Sequence, residues 1–378
     1  MGNSFFLNWT ETFKAGVEIV GGKGWNLGRL DRYGFNVPTG GVLTAEAYRE
    51  FIELNNLQDN LAEIAGTVTI NTIGDKTTGQ KLAQVRDMIQ QGRLPEQIRA
   101  ELEARLTDLG ILDNPVAVRS SATAEDSANA SFAGIHDSFL NVQRIENIVS
   151  AIKGCYASLW TERAVGYRRK MGINDQEVLP AVVVMAMVPA AASGIAFSCD
   201  PQIGRDDVVT INANFGLGES VVAGSVDPDR YWLPFSSFLL KIGSKTTGRK
   251  EGLTVLKEGG GTEFISTGQT PPKQVLSDEN IIKLGYLVLR VFSALGNYQL
   301  HQDVEWVFDG QDFVIVQARP VTVLPRYTFL GIKNQPDIWS NSNLKDTMPM
   351  VSSTINNCLA WAGDVALTAP FKEIGYQT

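Results

Sequence analysis

Histidine is almost missing from this chain: among 378 residues there are two, His136 and His301. Cysteine is nearly as scarce. Cys155, Cys199 and Cys358 are odd in number, widely separated and without metal-ligand spacing, which reads as three reduced thiols in a cytoplasmic protein. Positive charge is in deficit, with 33 Lys and Arg against 41 Asp and Glu and a net charge of −8. That balance excludes a general nucleic-acid surface, so any phosphate site has to be built locally. The amino terminus, MGNSFFLNWTE, lacks a basic region followed by an apolar run, and no signal peptide is expected there. A long apolar stretch, Leu179 to Phe197, approaches bilayer length. Its prolines, Gly194 and the Val182-Val183-Val184 run favour a buried strand that turns at Pro189 and returns, and no membrane helix.

What is present is an ordinary globular composition, 44% hydrophobic and 20% charged, in a length that suits one large domain or two to three smaller ones. The most informative stretch is Asp303 to Pro320, DVEWVFDGQDFVIVQARP, two strand-like runs around an Asp309-Gly310 turn signal. Side chains two apart on a strand share a face, which places Asp303 with Glu305 and Gln317 with Arg319. Whether the two pairs meet depends on register. A two-residue turn sets residue 305 opposite 314 and throws Glu305 and Gln317 onto opposite faces. A three-residue loop sets 305 opposite 315 and makes Glu305 and Gln317 diagonal neighbours on one face. In that second case a carboxylate, an amide oxygen and a guanidinium converge as a magnesium-bound polyphosphate requires. An edge hairpin with a solvated polar face has the same pattern.

Earlier in the chain, EIVGGKGWNLGRL (residues 18–30) puts a Gly-Gly-Lys-Gly turn before a helical segment. Backbone amides of such a turn can approach an anion, with Lys23 adding a mobile charge, although the spacing is not that of a Walker loop. Thr44 is expected to cap a helix over 45–54, and residues 57–109 read as scaffold helices. The strand Val116–Val118 delivers Arg119 at its end, followed by a Ser/Ala-rich loop in which small residues around Gly134 let backbone amides close over phosphates. His136 and His301 each read as a hydrogen-bonding histidine rather than a phosphate carrier. Val149 to Lys170 reads as a helix, Ala181 to Val188 and residues 193–197 as strands whose edge backbone groups and flat apolar side chains suit a nucleotide base. Lys241–Lys250 and Glu258–Gly261 read as exposed hairpin turns, and residues 278–296 as one amphipathic helix capped by Ser277.

Five stretches together, VGGKGWNLGRL, GFNVPTGGVLT, VAVRSSATAEDSANASFAG, ANFGLGESVVAGSVDPDRYW and DVEWVFDGQDFVIVQARPVT, resemble the nucleotide-binding domain of the phosphoenolpyruvate synthase and pyruvate phosphate dikinase family, to which rifampicin phosphotransferase is also similar. The resemblance implies an α+β fold of the ATP-grasp type with mainly antiparallel sheets. Its lobes are expected over 1–190 and 191–325, with 326–378 as linker and start of a truncated following domain. It implies ATP and Mg2+ as ligands. Lys23, Arg119 and Arg319 match phosphate-contacting cations, Gly134 and Ser138 the loop over the nucleotide, and Glu305 and Gln317 the magnesium-side ligands. Met185 stands where a glutamine usually faces adenine, which leaves base recognition to backbone groups such as those of Met187. The family's carrier-histidine motif and most of its acceptor domain are not in this sequence, so a carrier phosphohistidine domain and an acceptor-substrate domain are the expected partners. Pyruvate and a rifamycin hydroxyl are both open as acceptors, and a nucleotide-binding regulatory module without transfer chemistry is the alternative.

Overall fold

Continuous apolar strands need cover on both faces, and this chain supplies it by packing helices against two separate antiparallel sheets. The computed structural model describes residues 4–122, 137–175, 178–236, 239–268 and 273–325. Gly134, His136, Cys358 and the segment 326–378 lie outside the described residues.

The first sheet contains β1 (Phe6–Asn8), β2 (Gly40–Leu43), β3 (Val116–Ala122), β4 (Ser138–Val142) and β5 (Pro180–Ala186), in the order β1-β2-β5-β3-β4. Next in the chain come β6 (Ala192–Phe197), β7 (Val208–Phe215), β8 (Asp229–Ser236), β9 (Leu239–Leu240) and β10 (Ser244–Thr246), the isolated hairpin β11 (Gly252–Leu256) with β12 (Thr262–Ser266), and finally β13 (Gln302–Phe308) and β14 (Phe313–Pro320). The second sheet runs β10-β8-β7-β6-β13-β14, with β9 beside β8. Every pairing in both sheets is antiparallel. The class is therefore α+β with antiparallel sheets, as expected, and both sheets belong to one unit, Met1–Arg326.

Helices α1 (Trp9–Ala15) and α2 (Val17–Arg32) precede a scaffold of α3 (Ala45–Leu54), α4 (Gln58–Thr67), α5 (Lys76–Gln91) and α6 (Glu96–Asp108), followed by α7 (Ile145–Ser158), α8 (Glu162–Met171), the short α9 (Glu219–Val222) and α10 (Asp278–Gly296). Alternation assigns each face of the first sheet. Val116, Val118, Val182 and Val184 enter a core with the scaffold helices, while Ala117, Ala181, Val183 and Met185 enter a second core with α2 and the β13–β14 hairpin. A third core lies between the second sheet and α10.

Several expectations change. The Leu179–Phe197 run does turn near Pro189, but it does not return on itself: β5 and β6 belong to different sheets. Neither has a free edge, since β5 pairs β2 and β3 while β6 pairs β7 and β13, so their ladder groups are already used. The helix expected over 149–170 is two helices, because Thr161 starts α8 by accepting a bond from the Ala164 N–H. Thr44 stands at the start of α3 without a side-chain cap, and its hydroxyl is buried with no partner. Lys250 is not part of an exposed turn but is buried against Asp229. Ser277 caps α10 as expected, accepting from Asn280 N–H at 3.2 Å. Among the described residues no helix is long and apolar enough to cross a membrane. Cys155 and Cys199 are both buried.

Candidate active site

The hairpin that carries Asp303, Glu305, Gln317 and Arg319 closes through a loop of four residues, Asp309–Asp312, between the paired Phe308 and Phe313. Asp309 fixes it, its Oδ1 accepting from the N–H groups of Gln311 (2.7 Å) and Asp312 (2.8 Å), and Gly310 takes φ 105°. Both registers expected from shorter loops are thus replaced. Regular pairing from this loop would set Glu305 opposite Val316 and turn Gln317 to the other face. Instead the ladder passes from Trp306↔Ile315 to Glu305↔Gln317, leaving Val316 as the extra residue of a β-bulge. Beyond the bulge Asp303 faces Arg319 directly. Val304, Trp306, Ile315 and Ala318 fill the opposite, apolar face.

Arg119 reaches this polar face from the first sheet. Its backbone is held between Ser138 of β4 and Val183 of β5, and its guanidinium crosses to the hairpin. Nη2 donates to Glu305 Oε2 at 2.9 Å and to Gln317 Oε1 at 2.8 Å, and Nη1 donates to the Val316 carbonyl at 3.3 Å. The ion pair is well shielded, with the Arg119 and Glu305 side chains 14% and 17% exposed. Arg119 Nε is buried without a hydrogen-bond partner. At the next pair on the same face, two rungs on, Arg319 donates through Nε and Nη2 to Asp303 Oδ2 at 2.8 and 2.7 Å. Burial pushes the Asp303 carboxyl above its usual range, with the Arg319 charge opposing that shift.

The glycine turn ahead of Lys23 falls inside α2 as a break in the helix at Gly21, φ 70° and ψ 169°. A Cβ there would sit 2.0 Å from the Ser121 carbonyl oxygen, so only glycine lets this turn lie on β3. Ser121 completes the contact: its hydroxyl donates to the Val20 carbonyl and accepts from Gly24 N–H. Lys23 is half-buried on the first turn after the break. One turn on, Asn26 donates to the Ala318 carbonyl at 3.0 Å, tying this helix to the strand between Gln317 and Arg319.

Of the expected site residues, Arg119 is in direct contact with Glu305 and Gln317, and Arg319 is two rungs on along the same face of the hairpin. Ser138 is exposed and directly opposite Arg119. Met185, opposite Ala117, lies on the same sheet face as Arg119 but is 3% exposed within the apolar core. Met187 follows the end of β5, and its N–H is already donated to the Pro115 carbonyl at 2.9 Å. Gly134 lies outside the described residues. His301 is a hydrogen-bonding, stacked residue, its Nδ1 3.0 Å from Ser198 Oγ and its ring 4.6 Å from that of Phe292. The sequence reading missed Asn26 and the Val316 carbonyl. A signal for the bulge existed: four apolar residues, Phe313 to Val316, break the alternation just before Gln317.

Two side-chain oxygens from facing strands, a shielded guanidinium and a glycine-broken helix thus lie together on an α+β body. Residues 17–334 match the family described as pyruvate phosphate dikinase, AMP/ATP-binding domain, and the chain belongs to that family. It is 38% identical over 327 residues to the probable phosphoenolpyruvate synthase of Methanocaldococcus jannaschii, an alignment covering 85% of this chain and 27% of that one. It is 37% identical over 322 residues to the rifampicin phosphotransferase of Streptomyces sviceus, covering 85% of this chain and 36% of the relative. The chain thus spans well under half the length of these curated relatives. Among solved structures, D-alanine–D-alanine ligase from Bacillus anthracis aligns with a TM-score of 0.29 and 9% identity over 79% of this chain and 55% of that one, a likeness too slight to bear on the fold.

Proposed function

We propose that this chain is the ATP-grasp part of a phosphoenolpyruvate-synthase-like dikinase, binding Mg·ATP, which with water is split to AMP and inorganic phosphate while one phosphoryl group passes to a carrier histidine on another domain, for passage to pyruvate. The observation that carries the reading is the joint hold of Arg119 on Glu305 and Gln317. It brings a cation and two oxygen ligands from distant parts of the chain to one spot. Among the described residues no group of three or more His, Cys, Asp or Glu side chains could hold a metal by itself. A carboxylate and an amide oxygen fit magnesium, which binds through few protein ligands and completes its shell with water and phosphate oxygens. Glu305 and Gln317 would hold the ion, which neutralises charge on the transferring group when bound. Lys23, Arg119 and Arg319 supply the remaining positive charge, with Ser138 and, on the family resemblance, Gly134 assigned to the nucleotide, whereas the buried Met185 and the Met187 N–H taken by the Pro115 carbonyl offer the base no contact. The nucleophile is the incoming imidazole, so this domain needs no general base.

Because rifampicin phosphotransferase is as similar as the synthase, a rifamycin hydroxyl is the second acceptor. Both acceptors, the carrier histidine and a cytoplasmic location belong to this proposal. Isothermal titration tests it: Mg·ATP binds the chain, chelation of magnesium weakens binding, and Glu305→Gln removes the magnesium dependence. Equal binding with and without magnesium in the unaltered chain refutes the metal assignment. Addition of a carrier-histidine domain should then release AMP, and its absence favours a regulatory module.

A further inference from the structure

We propose that Arg119 is a resident counter-cation: in the nucleotide-free protein it holds the place between Glu305 and Gln317 that the divalent metal takes with ATP, so that metal entry displaces it. This rests on the metal reading of Glu305 and Gln317 above.

One nitrogen, Nη2, satisfies both prospective ligands at once, at 2.9 and 2.8 Å, while Nη1 holds the Val316 carbonyl. A cation bonded to both oxygens competes with any metal for them, and a guanidinium retained beside a dication is repelled by it. The two therefore compete for the pair.

Arg119 is also incompletely satisfied where it stands, since its Nε is buried and unpartnered. Arg168 shows what a structural arginine looks like in this protein. It is 1% exposed, with Nε donating to Asp175 at 2.6 Å and Nη1 to the Leu159 carbonyl at 2.7 Å, and no buried atom of its side chain is left without a partner. An incoming phosphate would offer Arg119 the acceptors it lacks. The backbone of Arg119 is paired on both sides, so the exchange is confined to the side chain. It also has a structural consequence: the Arg119 bonds run from the first sheet to the hairpin of the second, and displacement replaces that direct tie by one made through ligand.

The test is Mn2+ binding to the 378-residue chain, followed by electron paramagnetic resonance without nucleotide and then with ATP. The unaltered chain should bind Mn2+ weakly alone and more tightly with ATP. Arg119→Met, which keeps length but removes charge and donors, should bind Mn2+ without nucleotide about tenfold more tightly or better. Glu305→Gln added to it should abolish that gain. Arg119→Lys, which keeps charge but cannot fork, should be intermediate, and it carries the test should Arg119→Met fail to fold by circular dichroism. Equal nucleotide-free affinities in the unaltered chain and in both Arg119 variants, with binding lost in Glu305→Gln, overturn the exchange and leave the metal reading standing. No Mn2+ binding in any variant, with or without ATP, overturns the metal reading and the exchange with it.

Discussion

Glu305 and Gln317 face each other across β13 and β14 because of one extra residue, Val316. A four-residue loop alone would have sent the two side chains to opposite faces, and the bulge restores them to the face that Arg119 reaches. A candidate ligand pair thus depends on an apolar residue that contributes only its carbonyl.

The Arg119–Glu305 pair should be strongly coupled in stability as well as in binding. Glu305→Gln leaves a shielded guanidinium with only neutral acceptors, and we expect a loss of about 1–3 kcal/mol. Adding Arg119→Met should recover part of it, so that urea unfolding of the four proteins gives a double-mutant coupling of about 1 kcal/mol or more. Additive effects would mean that the pair carries little energy.

Gly21 and Gly34 provide a matched comparison. Both have positive φ, 70° and 78°, but a Cβ on Gly21 meets the Ser121 backbone, whereas one on Gly34 has nothing within 4 Å. Gly34→Ala should cost about 1 kcal/mol, from backbone conformation alone. Gly21→Ala should cost at least about 3 kcal/mol and lower affinity for Mg·ATP, because it lifts the turn bearing Lys23 off β3.

Lys250 and Asp229 form a buried ion pair, 4% and 0% exposed, in which Asp229 also accepts from Gly248 N–H (2.9 Å), the Tyr231 hydroxyl (3.0 Å) and Val275 N–H (2.7 Å). Lys250→Met strands the carboxylate and should destabilise the chain by about 3–5 kcal/mol. Arg49→Met, at the exposed Arg49–Glu46 pair, should change stability by less than about 1 kcal/mol because solvent screens that contact. Chemical denaturation distinguishes the two.

His301 should contribute a pH dependence of definite sign. Burial holds its imidazole below the ordinary 6.5, against the nearby Asp206 charge and the Ser198 backbone. The unfolded chain therefore takes up a proton before the folded one as pH falls. Stability from this group is full above the unfolded value and is lost downward from it until the folded value is passed. Denaturation midpoints from about pH 7 to pH 5 should fall more for the unaltered chain than for His301→Asn. Parallel curves would show that His301 contributes nothing.

Legibility followed the range of the interaction. α10 and its Ser277 cap were readable because a helix start and a 3.6-residue stripe are local. The division of residues 149–170 into two helices is not legible in the apolar spacing, although Thr161 is a capping residue. The partition of β5 and β6 between sheets could not be read from 179–197, since apolar strands carry no label for their partners.

By itself the sequence determined the residue types and their phase: polar pairs two apart on each arm of the hairpin, Arg119 at the end of an apolar strand, and a Gly-Gly-Lys-Gly turn ahead of a helix. These follow from steric rules that act within a few residues. Only the tertiary structure decided that Arg119 and Glu305, 186 positions apart, share a hydrogen bond, that Val316 is the bulge residue, and that Lys250 is buried. Those outcomes depend on which strands find each other and what the surrounding cores exclude from water, and no local pattern encodes either.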